Sequence, residues 1–249
     1  MALTDRDRTC RSREDRRPPA SADNGMLSDY QQQLRVKLLA APVAAPPDPW
    51  RYLNPIPVGG LQGVGFGVHP QTGDDLLMVV SLDGFGLFDA TTGGKTARDR
   101  HPDPDGASPS GPDLACPGIG VLAGTRVRIA GLFGGGLHAT TDDGWTIDVV
   151  APEWPNHRVL LSADGGACDG PPGTTWWHVF HADHSELRAA GFSPSGRTLV
   201  IATSSDVTYR PPRAHDTLRL YAWPYSGHGG AVWAGVRWPR RQAARTPCI

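Results

Sequence analysis

The sequence predicts an all-β domain preceded by one helix, and three observations lead to this fold class. From Gly59 onward, short apolar runs alternate with turns rich in Gly, Asp and Pro, as expected for strands joined by tight connections. Glycine (31 residues) and proline (24 residues) are abundant, while a hydrophobic fraction of 39% still suffices for a core. With 249 residues, the chain is long enough for one substantial β domain or two small ones.

The charge balance and the cysteines narrow the class of protein. Basic and acidic residues nearly cancel, and a net charge of −1 gives no general attraction to nucleic acid or to anionic membranes. No stretch reaches the roughly 18 apolar residues of a transmembrane helix. The four cysteines are scattered without metal-finger spacing, which favours free thiols in a reducing cytoplasm. We therefore expect a cytoplasmic protein without cofactor, nucleic acid or membrane partner.

The chain is predicted to divide into four parts. Residues 1–26 offer almost nothing to bury, so we expect a disordered tail, or a start codon assigned upstream of the true start at Met26. Residues 27–57 are predicted to form a helix and a proline-rich connector, and residues 58–223 the β domain. Residues 224–249 lack periodicity and are expected to form a C-terminal tail of low order.

The helix is predicted from its cap and from one apolar stripe. Ser28 and Gln31 have the spacing of a capping box. Three apolar residues spaced four apart form the stripe: Tyr30, Leu34 and Leu38. Pro42 ends the pattern, which predicts a helix over about 29–41. The connector that follows has too few hydrogen-bond donors for the interior of a sheet.

The strands are predicted from apolar runs that end at turn residues. In chain order these runs are LLMVVS (76–81), FGLFD (85–89), WTIDVV (145–150), RVLLS (158–162), TWWHVFH (175–181) and TLVIATS (198–204). Asp-Asp-Gly at 142–144 predicts a tight hairpin, because glycine tolerates positive φ. The polar stretch 100–113 is predicted to be a loop. This pattern is typical of a sandwich, a barrel or a propeller.

Two distant segments repeat one order of features, namely a strand end, a Pro/Gly turn, a buried strand and an Asp turn. The first runs from Phe66 to Asp83, and the second runs from Phe192 to Asp206. Pro and Gly reverse the chain between the strands, and the aspartate can accept hydrogen bonds from the turn that follows. Because the second strand of each segment is apolar on both faces, it is predicted to lie between layers.

These segments resemble the blades of a WD-repeat β-propeller. His184, Phe192-Ser-Pro-Ser-Gly196 and Ser204-Ser-Asp206 follow the order of that family's motifs, and Leu87-Phe88-Asp89 resembles its closing Leu-Trp-Asp. Asp216-Thr-Leu-Arg-Leu-Tyr221 resembles the same closing motif, with Tyr in place of Trp.

The resemblance implies a small or partial propeller of about four blades, at about 40–45 residues per blade. The sequence is compatible with three alternatives, namely a closed ring, an incomplete ring completed by self-association and an open meander. The resemblance also implies that a turn network of His184, Asp83 and Asp206 is structural and not catalytic.

The densest group of ligand-type side chains lies within residues 174–186. Its members that could hold a metal are His178, His181, Asp183 and Glu186. Because side chains alternate along a strand, His178 and His181 are predicted to point to opposite faces, so we expect packed histidines and no metal site.

The function predicted from these observations is non-enzymatic protein binding or scaffolding with an unknown protein partner. Trp154 and Trp223 stand beside prolines in predicted loops and are candidate partner-binding residues. The alternative is a small propeller hydrolase or lyase that uses His138 and the residues of the ligand-type group, with or without a metal. A third interpretation is an accessory protein whose helix docks into a partner's groove.

Overall fold

The computed structural model describes residues 27–50, 55–163, 165–166 and 168–210. The predictions for both tails, for Asp216–Tyr221 and for Trp223 therefore lie outside the described residues. The described elements are α1 (Asp29–Ala40) and the strands β1 (Ile56–Pro57), β2 (Leu61–Val68), β3 (Asp75–Ser81), β4 (Gly84–Asp89), β5 (Lys95–Asp99), β6 (Ala115–Pro117), β7 (Arg126–Arg128), β8 (Ala130–Gly131), β9 (Thr146–Glu153), β10 (Asn156–Ser162), β11 (Trp176–Ala182), β12 (Leu187–Phe192), β13 (Leu199–Thr203) and β14 (Asp206–Arg210).

The described strands form four antiparallel sheets, which we name in chain order. Sheet A has the order β5-β4-β3-β2-β8, and sheet B is the hairpin β6-β7. Sheet C has the order β9-β10-β11, and sheet D has the order β12-β13-β14-β1. Within the described ranges none of these sheets closes on itself. The described residues also form two single-turn 3-10 helices, Pro104–Gly106 and Gly120–Leu122. The protein is thus mostly β with one described α-helix, as the sequence predicts at the level of fold class.

The two repeated segments form the same three-stranded meander. In sheet A, β2, β3 and β4 follow one another, and in sheet D, β12, β13 and β14 do so. Every residue of β3 and of β13 is buried. The prediction that the second strand of each segment lies between layers is therefore confirmed.

The four sheets stack face to face, and alternation along β13 shows how. Leu199 and Ile201 pack with residues of sheet C, whereas Val200 and Ala202 pack with residues of sheet A. Likewise, one face of β3 packs on sheet D and the other face packs on sheet B. The stacking order is therefore C, D, A, B.

One end of this stack, sheet C, is covered by a helix, and the other end, sheet B, has a polar outer face. The outer face of sheet C is covered by α1, through a cluster that contains Leu38 and Trp176. On β7, Val127 faces sheet A, while Arg126 and Arg128 are exposed on the other side. Among the described residues, no hydrophobic cluster joins sheet B to sheet C. The polar outer face of sheet B and the helix on sheet C therefore cap the two ends of the stack, like the terminal repeats of repeat proteins.

One stretch of chain, residues 128–141, covers the free edges of three sheets; we call it the edge segment. Its strand β8 pairs with β2, the first strand of sheet A. His138 bridges Phe192 at the edge of sheet D, and the Ala139 carbonyl accepts the Ile147 amide at the edge of sheet C. Exposed strand edges invite unwanted pairing, so this segment protects all three.

Helix α1 has the predicted capping box, in which the Ser28 side chain accepts from the Gln31 amide. Leu38 is buried and Leu34 is half-buried, but Tyr30 is 72% exposed. The prediction that Tyr30 shares the buried stripe is wrong, because only the C-terminal half of the helix packs on sheet C.

Candidate functional site

A β-bulge in β11 brings His178 and His181 to one face of sheet C. Leu160 pairs with His178 and the preceding Val159 pairs with Phe180, so β11 has one extra residue at this point. An extra residue reverses the alternation of side chains. The two imidazole centroids are 5.9 Å apart. The prediction that these histidines point to opposite faces is therefore wrong, because strict alternation holds only for a regular strand.

His178 connects sheet C to the end of α1. Its side chain is buried, and its Nδ1 lies 2.9 Å from the Ala41 carbonyl oxygen. Because a carbonyl oxygen only accepts, Nδ1 carries the proton of this hydrogen bond. The other ring nitrogen, Nε2, is buried and has no hydrogen-bond partner, and the same holds for Nε2 of His181.

Arg158 completes the group, which we call the histidine cluster (Arg158, His178 and His181). It lies opposite His181 in the register of β10 and β11 and is buried. Its guanidinium donates to the Leu38 carbonyl oxygen at 2.9 Å and lies 3.6 Å from the Glu153 carboxylate. Arg158 and His178 thus hold the last turn of α1, where backbone carbonyls have no partner within the helix.

The environment of His178 favours its neutral form. Burial lowers the pKa of His178 below its ordinary value, and the charges of Arg158 and His181 lower it further. The backbone of Ala41 and of Phe180 opposes this shift in the pKa. A buried arginine next to two histidines is a poor setting for a metal cation, since like charges repel.

The other predicted ligand residues lie elsewhere. Asp183 is 3.5 Å from His184, and Glu186 forms an ion pair with Arg188 at 2.8 Å. Within the described ranges, no group of three or more His, Cys, Asp or Glu side chains lies close enough to hold a metal ion. The structure does not bring His178, His181, Asp183 and Glu186 together as one site. His138 lies in the edge segment, next to sheet D.

Of the residues in the predicted turn network, Asp206 and Asp83 lie in turns between strands, whereas the His184 side chain lies in solvent. The Asp206 carboxylate accepts from the hydroxyls of Thr203 and Ser205, both at 3.0 Å, at the turn between β13 and β14. Asp83 lies in the turn between β3 and β4, where Arg98 donates to its carbonyl oxygen. The His184 side chain is 91% exposed.

Sequence reasoning missed a buried carboxylate between two sheets. Asp75 begins β3 in sheet A and is only 5% exposed. It accepts from the hydroxyl of Ser195 at 2.5 Å, in the Phe-Ser-Pro-Ser-Gly turn of sheet D, and from that of Thr198 at 3.3 Å, directly before β13. The signal that could have found it is an acidic residue directly before a fully apolar run.

A cavity of about 290 Å³ lies beside the loop that precedes β11. Its lining includes Ser162, Cys168 and Thr175. Burial raises the pKa of the Cys168 thiol, and the nearby Asp148 carboxylate raises it further. A thiol that keeps its proton is a weak nucleophile, so this cavity does not have the electrostatics of a cysteine-based active site.

The most prominent apolar group on the described surface is Trp154, which is 77% exposed. It stands at the tip of the β9–β10 hairpin, and its ring lies edge-on to His157 with centroids 5.7 Å apart. The hairpin is joined to α1, because Arg35 donates to the Pro152 carbonyl oxygen at 2.7 Å.

No protein-family model matches the chain, and neither a curated protein nor a solved structure matches it. Within the part of the chain that the structure describes, no helix has the length and apolarity that crossing a bilayer requires.

Proposed function

We propose that the chain is a non-enzymatic protein-binding module built on a divergent partial propeller of about four blades. The order of the sheets supports the architecture. The sheets follow one another along the chain as A, B, C, D, and they stack as C, D, A, B. If the chain order is placed on a circle, so that A follows D, the observed stack is the same ring with a gap between B and C. The early strand β1 pairs with β14, so sheet D joins the start of the β domain to its last described strand.

The exposure of Trp154 is the observation that carries the binding function. An exposed indole lacks the large favourable free energy that burial of its apolar surface would give. Tryptophan is also enriched among the residues that contribute most to the binding free energy at protein interfaces. The hairpin that presents Trp154 is held next to its tip, where Arg35 donates to the Pro152 carbonyl oxygen and Arg158 pairs with Glu153. On the adjoining α1, Tyr30 and Val36 are 72% and 61% exposed. Trp154, Tyr30 and Val36 are thus exposed apolar side chains on two elements that are hydrogen-bonded to each other.

Replacing Trp154 with alanine is expected to weaken partner binding by about 30-fold, the equivalent of a hot-spot loss of about 2 kcal/mol. The full chain is immobilised, proteins of the cell of origin are passed over it, and the retained partner is then titrated against each variant. Leu82→Ala is the matched control, because Leu82 is 76% exposed at the tip of another hairpin.

The control variant is expected to bind the partner as the native chain does. If the partner binds Trp154→Ala and the native chain equally, the surface assignment is wrong. If the folded native chain retains no protein in stoichiometric amount, the binding function itself is contradicted.

A further inference from the structure

We infer that the histidine cluster is an acid-sensitive latch, in which protonation of His178 releases α1 from sheet C. This inference concerns how α1 is held and does not rest on the proposed partner, but release of α1 would also move the exposed Tyr30 and Val36 relative to the Trp154 hairpin. It depends on the geometry of four contacts, namely those of His178 and Arg158 with the end of α1 and those of Leu38 and Ala41 with the sheet.

The apolar contact between α1 and sheet C is small. The buried residues of this cluster are Leu38 and Ala41 on the helix side and Leu160 and Trp176 on the sheet side. Leu34 is half-buried against this cluster, and the rest of the first two turns of the helix is exposed. With so little apolar area, hydrogen bonds form a large part of what holds α1 in place. Those of His178 and Arg158 hold the end of the helix, and Arg35 and Lys37 donate to the carbonyl oxygens of Pro152 and Cys168.

A second proton on His178 has an unfavourable position. Because Nδ1 already donates to Ala41, the added proton must bind Nε2, which is buried and makes no hydrogen bond. The backbone of Phe180 favours the protonated ring, but the effect of burial on the pKa outweighs it. The resulting imidazolium would lie beside the guanidinium of Arg158 and close to His181. A buried, unpaired charge next to a like charge is among the costliest arrangements in a protein.

Most charged groups on the surrounding elements are basic, and the carboxylate of Asp148 lies one strand further away, across Leu160 from His178. The charged and titratable groups of these elements are His181 on β11, Arg158 on β10, Glu153 and Asp148 on β9, and Arg35 and Lys37 on α1. Glu153 is already paired with Arg158 and is half-exposed. Lys37 lies over the Trp176 ring at 5.5 Å, which adds another positive charge to this side of the sheet. Residues 41–44, which follow the helix, contain no charged side chain.

The direction of the pH effect follows from the lowered pKa of His178 in the docked state. In the released state this histidine is solvated and has its ordinary pKa of about 6.5. Docking is therefore strongest above about pH 6.5 and weakens as the pH falls from there through the lower pKa of the docked form.

Hydrogen exchange of the full chain, measured by mass spectrometry, tests the latch. Between about pH 7.5 and about pH 5, we expect the protection factor of peptides from 29–40 to fall several-fold, with an upper limit of about 30-fold because pH 5 lies about 1.5 units below the ordinary histidine pKa. Peptides from β13 are expected to keep their protection. A constant protection of α1, or a simultaneous loss in both segments, would overturn the inference.

Two variants locate the effect. In His178→Asn, the amide N–H replaces the Nδ1 donor without a titratable group, and we expect protection of α1 to be independent of pH. His184→Asn is the matched control on an exposed histidine and is expected to keep the acid response. An acid response that persists in His178→Asn overturns the inference.

If the amides of α1 exchange without protection in His178→Asn even at about pH 7.5, imidazole NMR of the native chain tests the latch in place of that variant. We expect His178 to be the neutral Nδ1–H tautomer at that pH and to titrate together with the release of α1. Release of α1 while His178 stays neutral, or protonation while α1 stays protected, contradicts the latch.

Discussion

Replacing Gly65 with alanine is expected to lower the free energy of unfolding by at least about 3 kcal/mol. A Cβ atom at this position of β2 would lie 2.0 Å from the carbonyl oxygen of Arg128 and 2.9 Å from Cδ1 of Ile129. The first contact is with backbone, which cannot rotate away as a side chain can. Alanine would therefore force β2 away from the edge segment and separate sheet A from sheet B.

Chemical denaturation followed by intrinsic fluorescence measures this change. Gly59→Ala is the control, because a Cβ atom added at Gly59 would meet no atom within 4 Å beyond its chain neighbours, and Gly59 does not need positive φ. This control is expected to change the stability by no more than about 0.5 kcal/mol. Equal stabilities for the two variants would show that β2 does not closely approach the edge segment.

Replacing Asp75 with alanine is expected to cost about 3 kcal/mol of unfolding free energy. The substitution removes the carboxylate that accepts hydrogen bonds from the hydroxyls of Ser195 and Thr198. A hydrogen bond to a carboxylate contributes about 1.5–3 kcal/mol. The buried Thr198 hydroxyl left unpaired adds a desolvation cost, whereas Ser195 is exposed and keeps the Ser193 hydroxyl as a partner. Because these hydroxyls belong to sheet D, the loss also loosens the contact between sheets A and D.

A double-mutant cycle of Asp75→Ala and Ser195→Ala separates this contact from other effects of the substitutions. Residues in direct contact are expected to show a coupling energy above about 0.5 kcal/mol. The neighbouring Asp74 is exposed, so Asp74→Ala is the control and is expected to be nearly neutral. Additive effects of the two substitutions would contradict a bond between the sheets.

Local features of the fold could be predicted from the sequence because they depend on neighbouring residues. The capping box at Ser28 and the turn at 142–144 each require only a few adjacent side chains, and the structure contains both. The repeated meander could be predicted for the same reason, since its turn residues and apolar runs recur in order. The burial of both faces of β13 followed from the absence of charged residues in it.

The features that could not be predicted depend on contacts between distant segments. The bulge at Val179 leaves no mark in the sequence of β11, yet it decides where His181 points. Trp50 lies in the proline-rich connector but is buried against Phe192, with ring centroids 5.3 Å apart. The role of Asp75 depends on a turn 120 residues away, which no local pattern reveals. For the same reason, the histidine cluster could not be predicted as a unit.

Methyl NMR of the full chain tests the stacking of the sheets most directly. Val200 and Ile201 are neighbours on β13 and face different sheets. We predict nuclear Overhauser contacts from Val200 to Leu77 or Val79 of sheet A, and from Ile201 to Val159 or Leu161 of sheet C. Contacts from both residues to one and the same sheet would contradict the stack, and with it the proposed partial propeller.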